Sequence, residues 1–335
     1  MKLNGYLKSL AIGAVAALAL PLTVHAAPIV IKFSHVVAQN TPKGQAAEYF
    51  KKLAEERTKG QVKVEVYPNS QLYKDKEEME ALQMGAVQML APSLAKFAPL
   101  GVKEFEVFDL PFIFDNYQEL HKVTQGPVGA KLLSKLEPKG ILGLAYWDNG
   151  FKVMSANKPL RTPADFKGQK MRIQSSKVLD SQMRAMGANP QVMAFSEVYQ
   201  ALQTGVVNGT ENPPSNLYTQ KMHEVQKYVT LSDHGYLGYA VIVNKKFWNG
   251  LPANIRAALE SSMKDATKFA NDIAKKDNDD AMAAVKKSGK SQIITLTPQE
   301  RAAWKKTMDK AHKEHVGRIG ADLVKEVYTA TGYNQ

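Results

Sequence analysis

Arg172 stands in Lys170-Met171-Arg172-Ile173-Gln174, a segment whose period-two alternation sets Met171 and Ile173 on one strand face and the guanidinium on the other. In so apolar a setting the charge needs a partner, because removing it from water is costly. Two partners are open: an internal carboxylate, Glu197 or Glu211, or the carboxylate of a ligand. The planar guanidinium fork meets a carboxylate with two parallel hydrogen bonds, which favours arginine over lysine for that work. A second segment, Asn208-Gly209-Thr210-Glu211-Asn212-Pro213-Pro214, begins as a turn signal and ends in a rigid proline pair. It is suited to orienting a ligand, or it is a plain loop. A third, Trp147-Asp148-Asn149-Gly150-Phe151-Lys152, lies where one series of strands and helices gives way to another. Open α/β sheets bind ligands at such crossover points.

Other chemistry is missing. There is no P-loop, no dinucleotide glycine fingerprint and no nucleophile elbow. His312 and His315 sit at i and i+3 on a highly charged helix, which reads as a solvated face sooner than as a metal site. Asp279-Asp280 and Glu77-Glu78 read as surface, and no acid pair sits in an apolar setting that would tune it for proton transfer. The sequence calls for no cofactor and no metal, and an enzyme is the weaker reading.

The elements that must position these groups follow from periodicity. Residues 29–33 form a buried strand, Thr41-Pro42 opens a helix that runs to Thr58, and Val62, Val64 and Val66 alternate as a half-buried strand. A helix over 75–84 follows, then the apolar run 86–91, the aromatic segment 105–114 broken by Pro111, a helix over 117–136 and a strand over 141–147. A second series has strands at 152–156, 170–174 and 191–194, helices at 178–186 and 197–203, and Ser196 as the N-cap of the last. The C-terminal third is helical: residues 255–287 form one long helix or two abutting ones, and Thr297-Pro298-Gln299-Glu300 is a capping box. The pattern is α/β in two lobes, with no linker between them, so the lobes are woven together by several crossings.

Residues 1–26 are excluded from this fold. Lys2 and Lys8, the apolar run Leu10 to Leu20 and Val24-His25-Ala26 form a signal peptide cleaved after Ala26, with Ala27 as the alternative. No later run has the length of a spanning helix, so the mature chain is an exported, soluble, periplasmic protein. It has no cysteine, so its stability comes from a large core. The formal charge of +12 falls to about +10 when the two leader lysines are removed, and no block of five like charges occurs. That disfavours nucleic acid and favours the approach of small anions.

The longer segments Phe33 to Gly44 (FSHVVAQNTPKG), Tyr67 to Leu72 (YPNSQL), Trp147 to Leu160 (WDNGFKVMSANKPL), Lys167 to Gln174 (KGQKMRIQ) and above all Pro190 to Pro213 (PQVMAFSEVYQALQTGVVNGTENP) carry a resemblance. The chain resembles the solute receptors of tripartite ATP-independent periplasmic (TRAP) transporters, of the DctP type. The resemblance implies a two-lobed solute-binding fold with a ligand cleft that closes about a hinge. With the periodicity it divides the chain into a first lobe of residues 27–149 and 238–277 and a second of 150–237 and 278–335. It implies that Arg172 clamps a ligand carboxylate, that Asn212 is the ligand-binding asparagine, and that the ring of Phe195 lines the cleft. Sialic-acid receptors of the family carry an arginine where this chain has Lys152 and a glutamate where it has Pro92, so a dicarboxylate branch is implied. There Lys152, Ser93 and Lys96 meet the second carboxylate. His35 is a further ligand candidate, or a histidine that caps a loop. The expected function is capture of a C4-dicarboxylate such as malate, succinate or fumarate by a monomeric receptor, and its delivery to the transporter's membrane subunits. Receptors for another organic acid, and a subunit that presents its ligand to a sensor kinase, are the alternatives.

Overall fold

The computed structural model describes residues 27–333, so the expected leader lies outside the described residues. Its strands, in chain order, are β1 (Ile29–Ser34), β2 (Val62–Tyr67), β3 (Met89–Leu90), β4 (Ile141–Phe151), β5 (Val153–Ala156), β6 (Lys170–Ile173), β7 (Asn189–Val192), β8 (Gly209–Asn212), β9 (Tyr228–Leu231), β10 (Tyr236–Asn244) and β11 (Gln292–Thr295). They make two sheets, of order β2-β1-β3-β10-β4 and β11-β9-β5-β8-β6-β7. Each sheet, with the helices that cover it, forms a lobe. No described helix is long and apolar enough to cross a membrane.

In the first sheet β1 and β2 run parallel, joined by the helix Pro42–Arg57. That helix starts where expected: the Thr41 side chain accepts from Gly44 N, and Pro42 supplies a preset φ. β10, buried along its whole length, lies antiparallel to both β3 and β4 and ties the sheet together. In the second sheet β5 and β8 pair antiparallel with Val153 opposite Asn212 and Met154 opposite Glu211, and Arg172 of β6 lies opposite Thr210 of β8. The chain passes between sheets at Lys152, again between β9 and β10, and a third time by way of the helix Ala253–Ser288.

That helix is one continuous element of 36 residues, about 54 Å long at 1.5 Å per residue. Asn278 on it accepts from Ser215 N of the second lobe and donates to Asn149 O of β4, so the helix is fastened on both sides of the crossing. The capping box at Thr297 and Glu300 is present.

Several expectations are corrected. Residues 117–136 are two helices, Tyr117–Thr124 and Pro127–Ser134, because Pro127 lacks the N–H needed to continue a helix and instead starts one. Trp147 to Phe151 is the second half of β4 and leads into the step between sheets where expected, whereas residues 209–212 are strand β8, not a loop. Ser196 does not cap a helix: a short 3-10 turn, Phe195–Glu197, precedes the helix Val198–Gln203, and no side chain caps either. His312 and His315 are buried, not solvated; His312 hydrogen-bonds the Tyr328 hydroxyl and Pro111 O. Glu78 is likewise buried, whereas Asp279 and Asp280 are exposed and paired with Lys275 and Lys276.

Candidate functional site

The lobes meet along a cleft whose walls touch at several points. Lys74 and Glu197 form an ion pair of 2.7 Å across its mouth, Phe195 N donates to Asp75 Oδ2 at 2.5 Å, and Ser93 Oγ donates to Gln174 Oε1 at 3.2 Å. Val36 and Val37, just after β1, pack in one apolar cluster with Val153 and Phe195 of the second lobe. A cavity of about 440 Å³ opens between the lobes, lined by Asp75, Lys96, Leu100, Arg172, Gln174 and Met193 among others.

Arg172 is buried against this cavity. Its Nε and Nη2 donate to Met193 O at 3.1 and 2.8 Å, and the ring of Phe195 lies 5.7 Å from the guanidinium carbon. Among the described residues no carboxylate comes within 4 Å of it: Glu197 is taken by Lys74, and Glu211 by Lys152 and His234. Burial pushes its pKa down to about 10, opposed only by the more distant charge of Glu211. It stays a cation, with the free edge of its fork available.

Asn212, at the end of β8, is buried, and its Oδ1 has no hydrogen-bond partner. The same is true of Ser34 Oγ and both ring nitrogens of His35, at the carboxyl end of β1. Burial, and next the charge of Lys43, push the His35 imidazole down to about 3, with only a small opposing pull from the Val37 backbone. Burial thus favours the neutral imidazole of His35. Buried polar groups are nearly always satisfied, so these unpartnered atoms stand out.

Two lysines assigned to the second carboxylate are placed differently. Lys152 Nζ lies 2.7 Å from Glu211 Oε1, with both side chains buried, and His234 Nε2 lies 2.8 Å from the other oxygen. Burial works against the Glu211 carboxylate, yet Lys152 and His234 hold its pKa at about 2. Lys152 thus has a charge partner inside the protein, supplied by the strand opposite, and is corrected from ligand contact to structural ion pair. Lys96 does face the cavity, but its ammonium contacts Asp75 and lies 3.5 Å from Glu78. Burial first, and then Lys43 and Arg172, depress its pKa strongly.

Sequence reasoning missed Asp75, Glu78 and Lys43. Lys43 is buried, donates to Ala91 O at 2.8 Å and sits 3.7 Å from the centroid of the Tyr239 ring. Its sign in the sequence was a lysine in the first turn of a helix, where the backbone dipole disfavours a cation.

The profile of the DctP family, described as bacterial extracellular solute-binding protein, family 7, matches residues 33–318. The chain belongs to this family. It is a family of solute-binding proteins, not of enzymes. The C4-dicarboxylate-binding periplasmic protein DctP of Rhodobacter capsulatus is 66% identical over 321 residues, covering 96% of each chain. A TRAP periplasmic solute-binding protein from Sulfurospirillum deleyianum, solved with bound succinate, superposes with a TM-score of 0.88 at 49% identity, over 91% of this chain and 100% of its own. One from Pseudomonas aeruginosa, with bound L-malate, gives a TM-score of 0.84 at 45% identity, over 86% and 100%. The two-lobed fold and long C-terminal helices are those of this family.

Proposed function

We propose that the chain is the extracytoplasmic receptor of a TRAP transporter, that it captures a C4-dicarboxylate such as succinate, malate or fumarate, and that it hands the ligand to the membrane subunits. The observation that carries this reading is Arg172: a buried guanidinium beside an interlobe cavity, held by one carbonyl and without a carboxylate partner among the described residues. The dicarboxylates bound by the relatives from Sulfurospirillum and Pseudomonas supply the class of ligand.

One ligand carboxylate docks on the free edge of Arg172, with Phe195 beneath the guanidinium and Asn212, Ser93 and His35 as neutral polar contacts around it. Lys96, beside Asp75, lines the same cavity. His35, Ser93 and Lys96 lie on the side of the cleft built on the first sheet, and Arg172, Phe195 and Asn212 on the side built on the second. A ligand gripped from both sides stabilises the closed form only by the difference between its affinities for closed and open states. The leader read at residues 1–26 would deliver the receptor to the periplasm.

A thermal-shift panel of organic acids on the purified mature chain tests the reading. A C4-dicarboxylate at about a hundred times its dissociation constant adds roughly 2.7 kcal/mol of stability and raises the midpoint. A panel in which sugar acids or aromatic acids shift the midpoint and C4-dicarboxylates do not would overturn it.

A further inference from the structure

We propose that the end of the second sheet farthest from the cleft is a docking face for an anionic lipid surface. The inference goes beyond the functional reading above and does not depend on which ligand the cleft takes.

The face is assembled by strand register. β11, β9, β8, β6 and β7 run in one direction and β5 runs against them, so Gln292, Tyr228, Ala156, Gly209 and Met171 form one rank across the sheet. Just outside this rank, backbone bonds join the chain ends into a rim: Gln292 N donates to Lys227 O, Asn157 N to Asn208 O, Asn208 N to Lys170 O and Asn189 N to Gln169 O. Lysines stand on the rim and directly beyond it. Lys227 precedes β9, Lys170 opens β6, Lys167 comes three residues earlier, and Lys286 and Lys287 end the helix Ala253–Ser288. The turn from that helix into β11 is tied to the same rim, since Ser291 Oγ donates to Gln226 O at 2.8 Å. All five lysines are exposed, and none has a carboxylate within 4 Å among the described residues. Nearby acids are engaged: Glu224 pairs with Lys290 at 2.8 Å, and Asp165 accepts from Thr162 N at 2.6 Å. Three separate segments supply the five charges, which is why the sequence shows no block of them.

The distribution of charge points to a surface as the partner. Six strands at a spacing of about 4.8 Å give a front about 24 Å wide. The lysines are spread along it and do not converge on one point, so they suit a plane of headgroups better than one small anion. Val206, 56% exposed, stands just before β8, between Lys227 and Lys170 along the rim, and offers an apolar side chain to the headgroup layer. Each lysine held within a screening length of an anionic leaflet improves partition about fivefold. From this lobe the interlobe cavity is lined by Gln174 and Met193, which follow the opposite ends of β6 and β7. A molecule docked through the rim therefore keeps its cavity turned away from the surface.

The test is co-sedimentation of the mature chain with phosphatidylcholine vesicles, with and without about 30% phosphatidylglycerol, in about 0.15 M salt. Two triple variants that lose equal charge are compared. One replaces Lys167, Lys227 and Lys287 by Gln; the other replaces Lys52, Lys122 and Lys264, exposed lysines on helices that pack on the first sheet or beside it, by Gln. Wild type is expected to bind the anionic vesicles and not the neutral ones. The first triple should lose at least about 30-fold in partition and the second no more than about threefold. Equal losses in the two triples reduce the effect to net charge and overturn the inference. Wild type that ignores anionic vesicles overturns it as well, and retention of that protein on immobilised polyglutamate would assign the face to an acidic protein instead. Circular dichroism verifies the fold. Should a triple not fold, Lys167→Glu and Lys227→Glu are set against Lys122→Glu in the same assay: weaker binding in the first two alone supports the inference, and equal binding in all three defeats it.

Discussion

Lys152 and Glu211 face each other at 2.7 Å, and the pair sits where the chain steps from β4 to β5 and meets β8. Lys152 is the one residue between the two sheets at that crossing. Its charge therefore fastens the crossing to the second sheet.

Replacing Lys152 by Met leaves Glu211 buried with His234 as its remaining side-chain partner among the described residues. Loss of one member of a buried pair costs about 3–5 kcal/mol. Urea unfolding of Lys152→Met is expected to show a loss in that range. A variant as stable as wild type with its affinity abolished would return Lys152 to the ligand.

Glu211 titrates near 4.5 when unfolded and about 2 when folded. Its depressed pKa contributes stability that is fully present above about 4.5 and disappears as pH falls toward 2. Acid unfolding followed by circular dichroism should show Glu211→Gln less stable than wild type at pH 6, with the gap closing between pH 4.5 and 2. A gap that is constant over this window rules out the ion pair as its source.

Arg172→Ala should cost about 2–5 kcal/mol of binding energy for succinate, measured calorimetrically. Arg172→Lys should not restore it, since an ammonium cannot hold Met193 O with two donors and a carboxylate with a parallel pair. Full affinity in Arg172→Lys would show that charge alone suffices.

Asp75 joins the lobes through Phe195 N and holds Lys96 as well. Asp75→Asn should favour the open form and speed succinate release about tenfold or more, read by stopped-flow fluorescence, because a charge-assisted bond that exists only on closure is worth about 1.5–3 kcal/mol. Lys74→Ala, which removes only an exposed pair, should alter release by less than about fivefold. Equal effects of the two would deny Asp75 a special part.

Much of the scaffold was legible because it is written in local patterns. The alternation of Val62, Val64 and Val66, the Thr41-Pro42 start and the Thr297 to Glu300 box each specify an element with their own neighbours. Arg172 was legible for a similar reason: a guanidinium in an apolar strand raises the question of its partner. What stayed hidden depends on residues far apart in the chain. Nothing near Lys152 shows that Glu211, 59 positions on, will meet it across β5 and β8. Nothing in Glu77-Glu78 tells which carboxylate turns inward, since both belong to a first helical turn that reads as polar. The histidines at 312 and 315 look solvated among lysines until the Pro111 turn closes over one of them.

The three crossings bear on how such a chain can be recombined. β10 is made from residues 236–244 yet is the strand that joins β3 to β4 in the first sheet. A fragment that ends at Phe151 would leave those two strands with no neighbour in common, and a fragment that begins at Lys152 would carry β10 with no sheet to enter. Neither half is a module, so swapping halves between relatives at the middle of the gene would trade unfinished sheets, and a new ligand preference has to be reached by changing side chains in place.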